Sequence, residues 1–555
     1  MPVINFGYGD LCGLIGRSIP QDVLADRLPM IGADMHDVED GVDAMSVEFF
    51  PDRPDLFSVE GVARAMRAFL DVSPGLPPYA VEDTGIVVDL DPRTASVRPY
   101  CLCAVVRGIE MTEELLKSMM ELQEKLHITI GRKRSKLAIG IHDLAKVRAP
   151  FRYTLSEPHG TRFVPLAKTE AMDLAEILVR HEKGVAYAGL LGSFEEYPVI
   201  LDADGEVLSF PPVINGALTA VTTGTRDLFI DVTGTDRKAV KGALDIVTTA
   251  LAERGGTIGA VRMTGAEECM SPDLSPVERR ISAAACLEFT GIRSGDRRTV
   301  TDALERMGMD AEADPDDPDA VVARYGAYRL DIMHDVDIYE DVAIGHGFER
   351  FGGDYSVVQT PGRLSADTVF AESLKDVMIG SGFTEVTTLT LSNEEEEFGI
   401  SGLPEVDTVR ILNPITEEHT CLRPYLMPSL MRILRHNRHR DLPQRIFEVG
   451  YVVRDGRNEL RLCALATASK TSFTESKSLA ESVMREMSAG YTVSPCDHPV
   501  FIPGRGAFIN VDGERIGFFG EVSPQTVTAF GITHPVTVFE IDLGPMTARR
   551  SGSVF

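Results

Sequence analysis

Two proline-marked breaks divide the chain into segments that can fold separately. Residues 71–85 (DVSPGLPPYAVEDTG) and the segment SPDLSPVERR after residue 270 combine prolines with small and polar residues, which is typical of linkers and boundaries. At the usual domain size, a chain of 555 residues is expected to hold roughly three to five domains. The breaks therefore predict a small N-terminal domain, a longer middle domain and further domains after residue 271.

Composition restricts the environment and the partners of the protein. Acidic residues outnumber basic ones by 84 to 55, giving a net charge of −29, which argues against a chain that binds polyanions over its whole surface. The eight cysteines are scattered without a CxxC pair, which favours reduced, buried thiols over zinc sites or disulfides. We see no long apolar run and no basic-then-apolar leader, so we expect neither a membrane span nor a signal peptide. The sequence predicts a cytoplasmic protein whose nucleic-acid contacts come from local basic islands or from a partner subunit.

One acidic stretch, Tyr328–Gly347 (YRLDIMHDVDIYEDVAIGHG), is a candidate metal site. Its start is strand-like and apolar, and its later acids fall where a helix should begin, with Asp337 and Glu340 in the spacing of a cap and its reciprocal acid. Clustered carboxylate oxygens suit Mg²⁺, but acids at a helix N-terminus also simply complement its dipole, and the residues alone leave both readings open. Five carboxylates fall within eleven residues: Asp331, Asp335, Asp337, Glu340 and Asp341.

Helical and basic patterns mark the first half of the chain. Asp55 is a plausible N-cap for a helix with an apolar stripe from Val59 onwards, and Thr112 is a plausible N-cap for a second helix. Four basic residues then follow within five positions and are either a phosphate-contacting island or a solvated loop: Arg132, Lys133, Arg134 and Lys136. A second island, either a contact for a partner or RNA or a solvated helix end, contains Arg432, Arg435, Arg438 and Arg440.

Strand patterns dominate the middle and the end of the chain. Residues 198–210 predict a hairpin with its turn at Asp204–Gly205, and residues 209–236 form a loop-rich β region. Two short helices are predicted at about residues 276–290 and 299–308. The last two hundred residues combine a helix near 366–382 with alternating strands joined by hairpins, which predicts an antiparallel sheet with helices beside it.

Three motifs together resemble one known family. EFFPDRPDLFSVEGVARAM, HITIGRKRSKLAIGIHDL and SFPPVINGALTAVTTGTRDLFIDVTGTD look like the β subunit of phenylalanyl-tRNA synthetase of the archaeal/eukaryotic type, in order and in total length. The resemblance implies an α+β multidomain fold. Its expected parts are a small N-terminal domain (1–75), a β-rich editing domain (86–270), a small helical or winged-helix-like metal-binding domain (271–350), and a C-terminal class II synthetase-like antiparallel sheet domain (351–555) that is catalytically silent.

The same resemblance implies a division of labour between subunits. PGRGAF is followed by a hairpin and not by a helix with a catalytic arginine, so the resemblance implies that ATP and phenylalanine bind in a separate α subunit. It also implies an (αβ)₂ heterotetramer that acts on tRNA(Phe). Arg423 and Arg505 stand roughly where an active class II site would hold phosphate-binding arginines. This chain is expected to hydrolyse mischarged Tyr-tRNA(Phe), since a pocket for phenylalanine excludes tyrosine by only one hydroxyl.

Site residues follow from the resemblance position by position. Asp231 and His142 match residues that bacterial relatives use in the editing pocket, with Asp231 replacing a glutamate that recognises the tyrosine hydroxyl. The expected pocket consists of Thr129, His142, Pro211, Pro212, Asn215, Gly216 and Asp231. The expected ligands of Mg²⁺, at the border with the α subunit, are Asp331, Asp337, Glu340 and Asp341, while Asp335 is a helix-start residue.

Parts of the sequence are compatible with two other functions. A nucleic-acid-binding regulator could use the two helices after residue 275 as a helix-turn-helix, but the second helix, TVTDALERM, lacks a row of base-reading side chains. A free-standing aminoacyl-tRNA hydrolase would leave the long C-terminal domain without a purpose.

Overall fold

The structure, a computed structural model, describes residues 2–35, 43–353, 355 and 360–546. Contacts within the chain separate two compact units, residues 1–355 and residues 356–555. Both units combine helices with sheets, which confirms the mixed, multidomain α and β architecture. Within the described ranges, no helix is long and apolar enough to cross a membrane.

The N-terminal region is a three-stranded antiparallel sheet with three helices. Its elements are β1 (Val3–Phe6), α1 (Tyr8–Ile15), α2 (Gln21–Arg27), β2 (Ala33–Met35), β3 (Met45–Phe49) and α3 (Val59–Phe69), and the strand order is β1-β3-β2. The predicted apolar stripe is the buried face of α3. The N-cap of α3 is Ser58, which accepts a hydrogen bond from the Gly61 N–H at 3.3 Å. The prediction of Asp55 as the cap was wrong, because its buried carboxylate pairs with Arg53 at 2.9 Å.

A ten-stranded sheet organises residues 81–271. Its elements are β4 (Val81–Leu90), β5 (Tyr100–Arg107), α4 (Glu113–Ile128), β6 (Leu137–Asp143), β7 (Phe151–Ser156), β8 (Arg162–Phe163), β9 (Met172–Asp173), α5 (Leu174–Arg180), α6 (Glu182–Tyr187), β10 (Tyr197–Leu201), β11 (Val207–Phe210), β12 (Ile214–Asn215), β13 (Leu228–Gly234), α7 (Arg237–Glu253), β14 (Thr257–Gly265) and β15 (Cys269–Ser271). The order is β12-β11-β10-β7-β4-β14-β5-β13-β6, with β15 beside β14, while β8 and β9 form a separate pair. The hairpin at Asp204–Gly205 is confirmed between β10 and β11, and so is the Thr112 cap, which accepts from the Leu115 N–H at 3.1 Å.

The segment from residue 277 to 350 packs three helices with a small sheet. Its elements are β16 (Val277–Ser282), α8 (Ala283–Thr290), α9 (Arg297–Arg306), β17 (Asp310–Ala313), β18 (Ala320–Tyr325) and α10 (Asp335–His346), with the strand order β16-β18-β17. The helix predicted from residue 276 begins only at Ala283, because residues 277–282 pair with β18 instead. The strand-like start of the acidic stretch is a loop, since β18 ends at Tyr325.

Partly buried ion pairs join α3 to α7 inside the first unit. Arg67 of α3 contacts Glu253 of α7 at 2.5 Å, and Arg254, directly after α7, contacts Glu60 of α3 at 2.7 Å. Arg254 also makes a two-pronged contact with Asp10 of α1 at 2.6 and 2.7 Å. We call these contacts the α3–α7 latch. They connect the N-terminal region to the large sheet, because α7 packs on β5 and β13.

The second unit contains a seven-stranded sheet flanked by helices. Its elements are α11 (Ala366–Gly380), β19 (Thr384–Glu385), β20 (Leu391–Ser392), β21 (Cys421–Leu422), α12 (Met427–His436), β22 (Gln444–Arg454), β23 (Arg457–Thr467), α13 (Phe473–Glu486), β24 (Thr492–Pro495), β25 (Phe501–Val511), β26 (Glu514–Val522), α14 (Pro524–Ala529) and β27 (Val536–Asp542). The order is β19-β22-β23-β27-β26-β25-β24, antiparallel except for β19, and β20 and β21 pair separately. The helix predicted near 366–382 is confirmed as α11.

Candidate functional site

A cavity of about 530 Å³ opens between α4 and the large sheet of the first unit. Its volume lies within the range of small-molecule sites, and most of its wall is apolar. Residues of α4, β6, β13 and the β11–β12 connection contribute to it. They include Met119, Gln123, Glu124, Arg134, Gly140, Ser209, Pro211, Pro212, Asn215, Asp231 and Thr233.

Asp231 lies at one end of this cavity and is 2% exposed. Its Oδ1 accepts a hydrogen bond from the Ser209 hydroxyl at 3.0 Å and lies 3.4 Å from Nε2 of His142. The other ring nitrogen of His142 lies 2.8 Å from the Thr219 hydroxyl, so the imidazole is held from both sides. Among the described residues no side chain or N–H group donates to Oδ2, so one oxygen of this buried side chain is available to a ligand in the cavity.

Strand register brings these side chains together. Asp231 on β13 stands opposite Gly140 on β6, and His142 stands opposite Phe229, so all of them face the same side of the sheet. A Cβ atom at Gly140 would lie 2.4 Å from Asp231 Oδ2 and 2.7 Å from His142 Nε2. The absence of a side chain at residue 140 therefore creates the space into which Asp231 points.

The rim of the cavity carries charges that neutralise one another. Arg134 contacts Glu124 at 3.2 Å and donates to the Val213 carbonyl at 3.0 Å. The hydrogen bond from His127, together with the charges of Arg134 and Lys183, holds the pKa of Glu124 at about 2, although partial burial opposes the shift. Glu124 is therefore a carboxylate at neutral pH, and the polar part of the rim is fixed in place.

The predicted pocket residues differ in where they lie relative to the cavity. Pro211, Pro212, Asn215 and Asp231 line the cavity, and His142 stands behind it against Asp231. Gly216 lies beside the wall, where a Cβ would meet the Val207 carbonyl oxygen at 2.6 Å. Thr129 is placed elsewhere: it ends α4, and its hydroxyl donates to the Lys125 carbonyl at 2.7 Å.

Several lining residues were missed because their motifs carry no chemical signature. Ser209 precedes the prolines by two residues, and Gly140 is an ordinary glycine within an apolar run. Gln123 and Glu124 look like solvent-facing residues of an amphipathic helix. One signal was available in the sequence: polar residues near the end of α4 are followed by a basic run. The structure pairs the two, because Arg134 donates a hydrogen bond to Glu124.

The acidic stretch contains its own cation. Arg329, which is buried, contacts Asp331 at 2.6 Å and Asp341 at 2.7 Å. Asp337 accepts the backbone N–H groups of His334 and Met333 at 2.6 and 2.7 Å, so it stands inside the first turn of α10 and not at the predicted cap position. Asp335 begins α10, as predicted, and contacts Arg279 at 2.7 Å. This pair is exposed, in contrast to the pairs of Arg329.

Glu340 and Asp337 are the carboxylates of this stretch that no cation contacts in the described parts of the chain, and of these Asp337 is bonded to backbone N–H groups. Partial burial, followed by the charges of Asp341, Asp52, Asp337 and Asp331, raises the pKa of Glu340 above the ordinary range. Among residues 2–35, 43–353, 355 and 360–546, no three His, Cys, Asp or Glu side chains are already arranged to hold a metal ion. The donor chemistry fits a hard cation, but Arg329 occupies two of the four predicted ligands.

The centre of the sheet in the second unit is also charge-paired. Glu448 and Glu540 flank β23 and are both buried. Arg423 donates to Glu448 at 2.7 Å, and Arg461 donates to Glu540 at 3.3 Å. Glu540 further accepts the N–H of Met427 at 2.9 Å, which fixes the start of α12 over the sheet.

Comparison with known proteins gives one consistent result. Family models match as the B3/4 domain (residues 112–251), the tRNA synthetase B5 domain (280–348) and the phenylalanyl tRNA synthetase beta chain CLM domain (355–543). The phenylalanine–tRNA ligase beta subunit of Methanothrix thermoacetophila is 45% identical over 98% of this chain and 100% of its own length. The corresponding subunit of Methanosarcina acetivorans is 43% identical over 99% of this chain and 100% of its own.

A solved structure supports the same assignment. An N-terminal fragment of the phenylalanyl-tRNA synthetase beta subunit from Pyrococcus horikoshii matches with a TM-score of 0.60 and 38% identity, over 62% of this chain and 100% of that chain. The cavity lies within the B3/4 match, and the acidic stretch lies within the B5 match. The chain belongs to the family of phenylalanine–tRNA ligase β subunits, of the archaeal type.

Proposed function

We propose that this chain is the editing subunit of its ligase and hydrolyses mischarged Tyr-tRNA(Phe) in the cavity next to Asp231. The observation that carries the proposal is a buried carboxylate with one free oxygen at the end of a mostly apolar cavity. The phenol hydroxyl of tyrosine can donate to that oxygen, whereas phenylalanine would bury the carboxylate without a partner. A site built in this way selects the amino acid that the charging site fails to exclude.

The cavity offers positioning groups for hydrolysis in place of a protein nucleophile. The Ser209 hydroxyl donates a hydrogen bond to Asp231, and His142 lies between Asp231 and Thr219. Ser209 and His142 therefore do not form a serine–histidine pair. We assign the attack on the tyrosyl ester to a water molecule, with the ribose hydroxyl next to the ester as the group that assists it. The protein then contributes selection and orientation of the ester.

Replacing Asp231 by alanine tests the editing proposal. Deacylation of Tyr-tRNA(Phe) by the assembled ligase should fall about 10- to 100-fold, the value of a hydrogen bond to a charged group. Asp231→Asn should retain part of the activity, and His142→Ala should reduce it through Asp231. Asp204→Ala, at an exposed hairpin turn of the same domain, is the matched control. Unchanged hydrolysis by Asp231→Ala would remove this residue from the assignment.

We further propose that charging takes place in the α subunit and that the second unit of this chain is a class II synthetase-like domain without that activity. Arg423 and Arg505 support this view, because they contact Glu448 and Glu521 at 2.7 and 2.6 Å and their charges are used inside the chain. The start of α12 is fixed over the sheet by Glu540. ATP and phenylalanine then belong to the complex.

We also propose that the acidic stretch binds a divalent cation. We assign Asp331, Asp337, Glu340 and Asp341 as its ligands, with Mg²⁺ as the ion and with a structural role at the border with the α subunit. The raised pKa of Glu340, caused by burial and by neighbouring carboxylates, supports the assignment, because a cation would relieve that repulsion. Arg329 competes for Asp331 and Asp341, so the ion would retain water in place of some protein ligands.

Assembly in the presence and absence of Mg²⁺ tests this cation site. Asp337→Ala/Glu340→Ala should weaken the affinity of β for α and abolish its dependence on Mg²⁺, while the editing domain stays folded. Asp335→Ala, whose exposed carboxylate contacts Arg279, should leave both quantities unchanged. Equal affinity of the wild-type subunits with and without Mg²⁺ would return the stretch to a helix start stabilised by Arg329.

The remaining features of the proposal follow from the subunit assignment. We propose the domain limits 1–75, 86–270, 271–350 and 351–555, a winged-helix-like third domain made of α8–α10 and its small sheet, an (αβ)₂ heterotetramer and a cytoplasmic location. The contact between β16 and β18 supports the limit near residue 271. A nucleic-acid-binding regulator and a free-standing aminoacyl-tRNA hydrolase are disfavoured, because the full-length relatives are ligase subunits.

A further inference from the structure

Three consecutive residues after α4 form an unusual left-handed turn. Arg132, Lys133 and Arg134 have φ values of 45°, 53° and 67°, although none of them is glycine. This conformation is disfavoured for residues with a Cβ atom, and it is normally adopted by single residues. A run of three such residues persists only where the surrounding structure holds it, and these runs are concentrated at functional sites.

The surrounding contacts hold the backbone of this turn. The N–H of Arg132 donates to the Thr129 carbonyl at 3.0 Å, and the N–H of Arg134 donates to the His127 carbonyl at 3.1 Å. The buried guanidinium of Arg98 donates to the Arg134 carbonyl at 3.3 Å. The turn is therefore fixed by both α4 and the large sheet, and it has a defined orientation.

The basic side chains of the turn divide into two kinds. Arg134 is directed to the cavity, where it contacts Glu124 and the carbonyls of the β11–β12 connection, and Lys136 contacts Asp236 at 2.7 Å. Arg132 and Lys133 are exposed, and in the described parts of the chain neither has an acidic partner. Two unneutralised cations thus directly precede a residue that lines the cavity, on a chain whose net charge is −29.

We propose that Arg132 and Lys133 bind backbone phosphates of the unpaired 3′ end of the tRNA at the entrance of the cavity. The inference rests on the proposed editing function. The substrate there is an ester of the terminal ribose, so the first phosphodiester lies within one nucleotide of the bond that is cleaved. The fixed turn presents both charges beside the cavity without the acidic neighbours that would cancel them. A polyanion with regularly spaced charges is the ligand that such a pair fits.

The test compares a substrate that has phosphates with one that lacks them. Arg132→Glu/Lys133→Glu is assembled with the α subunit and assayed on Tyr-tRNA(Phe) and on adenosine that carries tyrosine on its ribose. We expect kcat/KM for the tRNA to fall at least about tenfold, mainly through KM, with no change for the adenosine ester. The dependence of log KM on log salt should lose a slope of about 1.4, two contacts of about 0.7 each. Arg132→Ala/Lys133→Ala should show a smaller effect in the same direction.

A matched control exists at the opposite end of the same strands. Arg107 and Lys146 are exposed, and neither has an acidic partner among the described residues. Arg107 directly follows Val106, and Lys146 comes three residues after Asp143. Both Val106 and Asp143 pair with Leu228, the first residue of β13. The turn leads into Leu137, which pairs with Gly234 at the other end of β13. Arg107→Glu/Lys146→Glu therefore makes the same change in net charge away from the turn and should leave both assays unchanged.

Each other outcome overturns a different statement. If the wild-type ligase hydrolyses neither ester, the editing function fails, and the phosphate contact fails with it. If the wild type hydrolyses both and the turn variant equals the control variant, the editing function stands and the phosphate contact is wrong. Equal losses on both substrates would mean that the turn shapes the cavity, and loss of assembly would mean that it contacts the α subunit. Either result overturns the inference.

Discussion

Replacing Arg329 by methionine should destabilise the first unit by about 3–5 kcal/mol, the usual cost of removing one partner from a buried ion pair. Arg329 is the shared counter-charge of Asp331 and Asp341, and the side chains of Arg329 and Asp341 are each only 4% exposed. Without the guanidinium, two carboxylates would remain close together in a buried setting. Chemical denaturation of the full chain, with hydrogen exchange followed in α10, measures the loss and locates it.

The pH dependence of this variant has a definite sign. Burial is the largest single influence on the pKa of Asp331 and raises it, but the charge and hydrogen bonds of Arg329, together with the charge of Arg53, outweigh burial and set the pKa below the ordinary value. This carboxylate therefore stabilises the native protein above the unfolded pKa of about 4, and the contribution disappears as the pH falls through the lower native value. In Arg329→Met both carboxyl pKa values rise, so the difference in stability from the wild type should shrink as the pH falls towards 4.

An exposed arginine of the same segment provides the control. Arg298 is 84% exposed and lies 3.6 Å from Asp302 on the next turn of α9. Arg298→Met should cost less than about 1 kcal/mol, as surface ion pairs do. If Arg329→Met is no more destabilised than Arg298→Met, or if its defect grows at low pH, Arg329 is not the internal cation of the acidic stretch.

Replacing Gly140 by alanine should reduce deacylation of Tyr-tRNA(Phe) about 100-fold, because small misplacements in an active site have effects of that size. The added Cβ would lie 2.4 Å from Asp231 Oδ2 and 2.7 Å from Oδ1, so the carboxylate would have to leave its position. No polar group is removed, which distinguishes this change from Asp231→Ala. Rates on Tyr-tRNA(Phe), with charging by the same complex as the internal reference, measure the effect.

Gly189→Ala is the corresponding control in the same domain. A Cβ at residue 189 would have no atom within 4 Å, and its φ is not in the left-handed region. The control should retain full deacylation and full charging. Normal deacylation by a folded Gly140→Ala variant would show that the tyrosine ring does not enter the end of the cavity where Asp231 lies.

Local features of the fold could be predicted because they depend on near neighbours in the chain. The Thr112 cap needs only the N–H three residues later. The hairpin at Asp204–Gly205 needs a residue that tolerates a positive φ, and Gly205 has a φ of 85° between β10 and β11. Sequence patterns identified the hairpin at Asp204–Gly205 and the helices α3, α4 and α11, but not α7 or α13. Boundaries that depend on pairing were less accurate, as in β16, which looked helical.

The sites were predictable in their residue types but not in their partners. Asp231 was identified through the family motif, whereas Ser209 and Gly140 reach it only by strand register. Arg329 stands two residues before Asp331. Sequence spacing gives no sign that its side chain also reaches Asp341, which lies in the following helix, α10. The carboxylates therefore looked free for a metal, because a buried counter-charge is a property of the tertiary packing.

If this chain edits as proposed, the α3–α7 latch bears on which molecule moves between charging and editing. The strand that carries Asp231 packs on α7, and α7 is joined to the N-terminal region by Arg67–Glu253 and by Arg254 with Glu60 and Asp10. Moving the cavity away from that region would break several partly buried ion pairs at once. On the editing proposal, the N-terminal region and the sheet that holds the cavity stay together as one rigid body. The flexible 3′ end of the tRNA would then move from the charging site to the editing cavity.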